Sequence, residues 1–183
     1  MKQVILIHGL PDDNEFDDPL IPSPSNSQWL PWVQKKLAMQ GEVCQSLEFP
    51  FQNHEPVYSA WLNVIENFKI DSNTTLVGHS CGGGFLLRYL SEYPDLKPKR
   101  VILVAPWIDP QKELSTHFFD FNIDETLNER TDVRMLTSAD DMESVLISIK
   151  RIKEKLPTIT CHEFTNKGHF CTPQFPELLE LLK

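Results

Sequence analysis

Residues 78–82, Gly-His-Ser-Cys-Gly, set a serine between glycines two positions before it and two after. The run "NTTLVG" ahead of it reads as a strand, and the apolar spacing of Phe85, Leu86, Tyr89, Leu90 and Tyr93 reads as a helix. Ser80 therefore stands on a very tight strand-to-helix turn, where flanking side chains would collide and glycines relieve the crowding. Such a turn holds a hydroxyl out beyond the sheet, at a helix N-terminus that favours negative charge. A hydroxyl attacks a carbonyl only when a base takes its proton, so a histidine is required. Six occur. His169, in "TNKGHF", lies in a glycine turn after the last predicted strand and before the last helix, on the rim where a base must hang. His79 adjoins the serine but is expected to point to another side of the turn. His8 is expected to shape the loop after the first strand, and His54, His117 and His162 have no supporting context.

The base needs an acid to hold its tautomer and stabilise the imidazolium. "MLTSADD" offers two carboxylates directly after a predicted strand. Asp141 is the first choice and Asp140 the alternative, since one of them can also cap the helix that follows; Asp109 ranks third. The chain order Ser80, Asp141, His169 is nucleophile, acid, base, the order found on α/β sheets. Two backbone N–H groups complete the chemistry as an oxyanion hole. They are that of Cys81, next to the nucleophile, and that of Leu10 in "HGL", and such a donor is typically worth about 2.7–4 kcal/mol in the barrier. The Cys81 thiol itself is expected to be packed. Other glycine motifs fail: a dinucleotide fingerprint built on Gly82 and Gly84 would need a third glycine where Leu87 stands, and no Gly-Lys-Ser/Thr phosphate loop exists.

These residues need a scaffold. Apolar, β-branched runs occur at 3–8, 42–49, 73–78, 100–105, 132–138 and 158–164, with helical spacing between them. Helical faces are Trp29, Trp32, Val33 and Leu37; Val57, Trp61, Val64, Ile65 and Phe68; Met142, Val145, Leu146, Ile149 and Ile152; and Phe175, Leu178, Leu179 and Leu182. Four strand candidates are continuously apolar, which suits a parallel sheet covered on both faces. The expectation is one α/β domain over 1–183, with a doubly wound, mainly parallel sheet of about six strands flanked by helices and no large cap domain. Two segments escape the alternation: the acidic, proline-rich 11–27 and the aromatic 106–131, both after strands and so on the rim where ligands bind in open α/β sheets.

Composition removes several functions. The 183 residues suffice for one domain that buries roughly 70% of its unfolded surface. A net charge of −9 argues against nucleic acid, which favours clustered Lys and Arg, and against anionic lipid surfaces. No run approaches the roughly 18 apolar residues of a membrane span, and the N-terminus lacks a signal-peptide core, so a cytoplasmic location is expected. Cys44, Cys81, Cys161 and Cys171 show no C-x-x-C spacing, which speaks for reduced thiols rather than a zinc site or redox dithiol. The acidic loop of Asp12, Asp13, Glu15, Asp17 and Asp18 lacks calcium-loop spacing and reads as solvated surface. No metal or cofactor is expected.

The stretches "VILIHG", "WLPWVQKKL", "GHSCGG", "VILVAP", "TSADD" and "GHF" run nearly end to end. Through them the chain resembles the small single-domain α/β-hydrolases of the retinoblastoma-binding-protein-9 and YdeN type. The resemblance implies a triad of Ser80, the second Asp of S-x-D-D, Asp141, and the His of G-H-F, His169. Two departures stand out: Met142 follows Asp141 where family members often have proline, and the loop after the first strand is acidic and proline-rich where theirs is often glycine-rich. The activity expected is a carboxylesterase-like serine hydrolase cleaving a small ester, thioester or amide through an acyl-enzyme, with a small-molecule acyl substrate. The cleft is expected to be shallow and covered by 106–131 alone, so that Trp107, Phe118 and Phe119 are the pocket candidates. The alternatives are acyl transfer by the same triad, or a hydrolase fold that serves mainly as a protein-binding or scaffold module through 106–131.

Overall fold

The computed structural model describes residues 2–16 and 18–183, with Asp13 and Asn14 as backbone only. Six parallel strands form the central sheet: β1 (Gln3–Ile7), β2 (Val43–Leu47), β5 (Thr74–His79), β6 (Arg100–Val104), β7 (Asp132–Ser138) and β8 (Thr160–Phe164). Their order is β2-β1-β5-β6-β7-β8. A separate antiparallel hairpin pairs β3 (Phe51–Gln52) with β4 (Glu55–Pro56). The helices are α1 (Asp13–Phe16), α2 (Leu30–Met39), α3 (Tyr58–Ile65), α4 (Cys81–Glu92), α5 (Leu127–Arg130), α6 (Glu143–Lys155) and α7 (Pro176–Leu182).

Burial explains which runs became central strands. Val4–Ile7, Leu76, Val77 and Val101–Val104 are 0–1% exposed, as residues sandwiched between two helical layers must be. The edge strands β2 and β8 alternate or stay half-exposed because one flank meets solvent. The chain steps from β1 outward to β2 and returns on the other side to β5. The strand order thus reverses between β1 and β5, and a crevice opens at their carboxyl ends. Ile7 pairs with Gly78 there, so the loop after β1 and the serine turn share one rim.

Two segments read as loops hold short helical pieces. Segment 11–27 contains α1 and a 3-10 turn at Pro24–Asn26, and segment 106–131 contains α5. Three or four residues are too few to display a helical period. Apolar packing concentrates in two aromatic groups. Phe49, Trp61, Phe85 and Phe118 pack in tilted and edge-on pairs with centroids 4.4–6.1 Å apart. Trp29, Phe170 and Phe175 pack beneath the turn that carries His169, with the Trp29–Phe175 and Phe170–Phe175 centroids 5.7 and 5.2 Å apart. Among the described residues no helix is long and apolar enough to cross a membrane.

Candidate active site

Ser80 occupies the joint between β5 and α4 with φ 52° and ψ −119°. A residue with a Cβ in this region costs on the order of 1–3 kcal/mol and persists only where its surroundings over-determine it. Backbone hydrogen bonds do so here. The Ser80 N–H donates to the Val104 carbonyl at 2.9 Å, and its own carbonyl accepts from the N–H groups of Gly83, Gly84 and Trp107 at 3.0, 3.2 and 3.0 Å. The glycines are needed for approach, not for flexibility. A Cβ on Gly78 would lie 2.5 Å from the Gly82 carbonyl oxygen, and one on Gly82 would lie 2.4 Å from that of His8. The serine turn is therefore a backbone construction.

Across the rim, His169 sits between two left-handed residues, Gly168 (φ 51°) and Phe170 (φ 56°). Its Nδ1 is 2.9 Å from Asp141 Oδ1, and the Asp141 side chain is fully buried. A carboxylate only accepts, so Nδ1 carries the proton and Nε2 is left with a free lone pair, the tautomer a base requires. Asp141 Oδ1 also accepts the Met142 N–H at 2.7 Å, while the buried Oδ2 has no hydrogen-bond partner among the described residues. Asp140 has another task. Its Oδ1 accepts the Gly168 N–H at 2.9 Å and the Ser138 hydroxyl, and Ser138 Oγ in turn accepts the Lys167 N–H at 2.9 Å. The Ser138 hydroxyl, with the Gly168 amide, holds the Asp140 carboxyl below its usual range. Asp141 thus meets the imidazole, and Asp140 ties its loop to the end of β7.

His8 is buried and shapes the opposite wall. The Phe49 N–H donates to His8 Nε2 at 3.0 Å, which makes Nδ1 the protonated nitrogen, donating to the Gly9 carbonyl at 2.7 Å. Burial lowers its pKa, against the smaller pull of the Gly9 carbonyl and Glu48. Beyond it Leu10 reaches the cavity. Cys81 is buried, with its thiol pushed well above the ordinary range by burial. Of the remaining candidates, His117 is exposed beside Asp120 Oδ2 at 2.8 Å, and His54 stacks on Phe16. Asp109 accepts the N–H groups of Glu113 and Leu114 in a turn of its own.

A cavity of about 480 Å³ joins these groups. Ser80, His169, Leu10 and Trp107 line it, as do Pro22, Pro24, Leu30, Met142 and Val145. Two expectations fail here. Phe118 and Phe119 lie outside this cavity and line a different one of about 490 Å³. Phe118 is fully buried against Trp61 and Phe85, and Phe119 packs edge-on to Phe118 and Trp107; that apolar burial draws them inward. The cover comes instead from the segment after β1, through Pro11, Asp12, Glu15 and Gln28, because β1 ends beside the serine turn. Of the acidic loop, Asp12 and Glu15 thus face the cleft rather than bulk solvent alone, while Asp17 lies outside the described residues. Among the described lining residues there is no Lys or Arg.

The sequence reading also missed His79. Expected to turn away, it is 3% exposed, with its ring centroid 4.9 Å from that of His169 and its Nε2 2.8 Å from the His169 carbonyl oxygen. The only signal for it in the sequence was its adjacency to Ser80.

Known proteins agree with this architecture. The family described as "alpha/beta hydrolase fold" matches residues 42–122. YdeN of Bacillus subtilis (strain 168) is 26% identical over 176 residues, 92% of this chain and 86% of YdeN. Among solved structures, Est1E from Butyrivibrio proteoclasticus with ferulic acid superimposes with a TM-score of 0.63 at 15% identity, covering 100% of this chain and 87% of Est1E. The Paleococcus ferrophilus monoacylglycerol lipase gives 0.61 at 16% identity, covering 98% and 93%. Sheet order, serine turn and these similarities define an α/β-hydrolase fold. The chain has this fold and is similar to YdeN along most of its length.

Proposed function

We propose that the chain is a carboxylesterase-like serine hydrolase that cleaves a small ester, thioester or amide through an acyl-enzyme. His169 Nε2 takes the Ser80 proton as Oγ bonds to the substrate carbonyl carbon. The N–H groups of Cys81 and Leu10 receive the oxyanion, in a site where removing one donor costs about 10²–10³ in rate. The imidazolium, stabilised by Asp141, passes its proton to the departing oxygen, sulfur or nitrogen, and the acyl group remains on Ser80. Water then attacks with His169 as base, the bond to Oγ breaks, and the acid leaves as Ser80 regains its proton.

The observation that carries this reading is the 2.9 Å contact between His169 Nδ1 and Asp141 Oδ1, on the wall of the cavity that Ser80 lines. YdeN, which bears the name of a hydrolase, and the esterase and lipase neighbours support the reaction class. The lining supports the substrate class. Leu10, Pro22, Leu30, Trp107 and Val145 suit a short apolar acyl group, and Asp12 and Glu15, with no Lys or Arg among the described lining residues, disfavour anionic esters. A p-nitrophenyl ester series from acetate to decanoate is expected to show kcat/KM highest at short chains, with Ser80→Ala reduced to background. Equal rates in wild type and Ser80→Ala would refute the proposal.

A further inference from the structure

The turn that carries His169 is strained and is anchored unequally along its length. Ahead of the catalytic ring, the Lys167 and Gly168 N–H groups are held by Ser138 and Asp140. Behind it stands Phe170, a non-glycine residue at φ 56°. Left-handed backbone is unfavourable for an L-residue, so this half of the turn needs its own restraint. Part of it is the Phe170 ring, buried between Phe164 and Phe175. Phe170 also donates its N–H to the Lys167 carbonyl at 2.9 Å and accepts the Thr172 N–H at 2.8 Å, both within the turn. The tie from this half to the end of β5 is therefore the His169 carbonyl, which meets His79 Nε2 at 2.8 Å and, more weakly, the Cys171 thiol at 3.7 Å.

We infer that His79 is a positioning residue: its imidazole holds the His169 backbone and thereby aims the His169 ring at Ser80. This rests on the proposed hydrolase reading and deepens it. A carbonyl only accepts, so His79 Nε2 carries the proton and donates. Burial above all, then the nearby His169, lowers the His79 pKa to about 3. His79 is consequently uncharged when His169 becomes an imidazolium 4.9 Å away, and adds no like-charge repulsion to that step. The ring is itself fixed, edge-on to Trp29 at 5.8 Å and joined to the serine turn through the backbone. Nucleophile and base are thereby registered to each other through one residue at the end of β5.

The test compares His79→Leu, His79→Gln and His79→Asn. Gln carries an amide N–H at about the reach of Nε2, Asn falls short of it, and Leu fills space without a donor. With p-nitrophenyl acetate, kcat is expected to fall up to about 100-fold in Leu and Asn with KM within two-fold, and Gln to restore most of it. Independently of turnover, the low-field proton signal of His169 Nδ1–H against Asp141 should persist in wild type and Gln and broaden or vanish in Leu and Asn. Gln and Asn behaving alike, or Leu keeping kcat within three-fold and the proton signal intact, would overturn the inference. Gln against Asn decides the matter if Leu does not fold. A wild type with the proton signal but without hydrolysis would sink the hydrolase proposal and leave the positioning role standing.

Discussion

The two turns that face each other across the cleft are built in opposite ways. Both force a non-glycine residue into left-handed backbone, Ser80 at φ 52° and Phe170 at φ 56°. The serine turn is held by backbone groups, through Val104, Gly83, Gly84 and Trp107. The His169 turn has backbone hydrogen bonds only within itself, from Phe170 N–H to the Lys167 carbonyl and from Thr172 N–H to the Phe170 carbonyl. Its hydrogen bonds to the rest of the fold run through side chains: Asp140, Ser138 and His79. Backbone hydrogen bonds survive most substitutions, whereas a side-chain tether is lost with one residue. The proposed nucleophile is thus the robust half of the site and the proposed base is the fragile half.

That contrast can be broken most severely at the Asp pair. Asp141→Asn removes the carboxylate that selects the Nε2-basic tautomer, and kcat for an ester is expected to fall on the order of 10⁴-fold. Asp140→Ala leaves that contact intact and frees the Gly168 and Ser138 ends of the loop, so a fall of about ten-fold is expected, with little change in KM. Steady-state kinetics on both variants decide the matter. Equal losses would mean that the two carboxylates share one role.

A smaller effect comes from pH. His79 has an ordinary pKa near 6.5 in an unfolded chain, and in the fold burial above all, then His169 and to a lesser extent His8, lowers it to about 3. Between those values the unfolded chain binds the extra proton, so this part of the stability is present above about pH 6.5 and drains away as pH falls toward 3. His8, also lowered by burial, acts in the same direction. Asp140, lowered by its hydrogen bonds, adds a further loss below the ordinary carboxylate range. Tm is expected to decline from pH 7 to pH 5, and the decline should flatten in His79→Gln. On the same acidification, hydrogen exchange should accelerate at Gly168 and Phe170 before Gly83 and Gly84. A pH-independent Tm in wild type would contradict the assignment of a buried, uncharged His79.

What could be read from the sequence follows the same division. The double-sided burial of β1, β5 and β6 writes itself as uninterrupted apolar runs, and the close approach of α4 to β5 and to the end of β1 writes itself as glycines at 78 and 82. Ser80 and His169 stand out because backbone geometry demands glycine beside them. Asp140 and Asp141 are adjacent on one rim, and side-chain direction alone distinguishes them. His79 was misread because the positive φ of Ser80 breaks the alternation by which a strand neighbour's direction is inferred. Phe118 and Phe119 were assigned to the cleft because 106–131 follows a strand on the right rim, yet an aperiodic segment does not reveal which of its rings the core will claim. The two-residue strands of the β3–β4 hairpin are too short to leave a pattern.

The central claim is that Ser80 is a working nucleophile served by His169. Its most direct measurement is reaction of the intact protein with a fluorophosphonate probe, with the adduct located by peptide mass spectrometry alongside Ser80→Ala and His169→Ala. One adduct on Ser80 is expected, absent from Ser80→Ala and lost or greatly slowed in His169→Ala. An unlabelled but folded wild type, or an adduct on any residue other than Ser80, would contradict it.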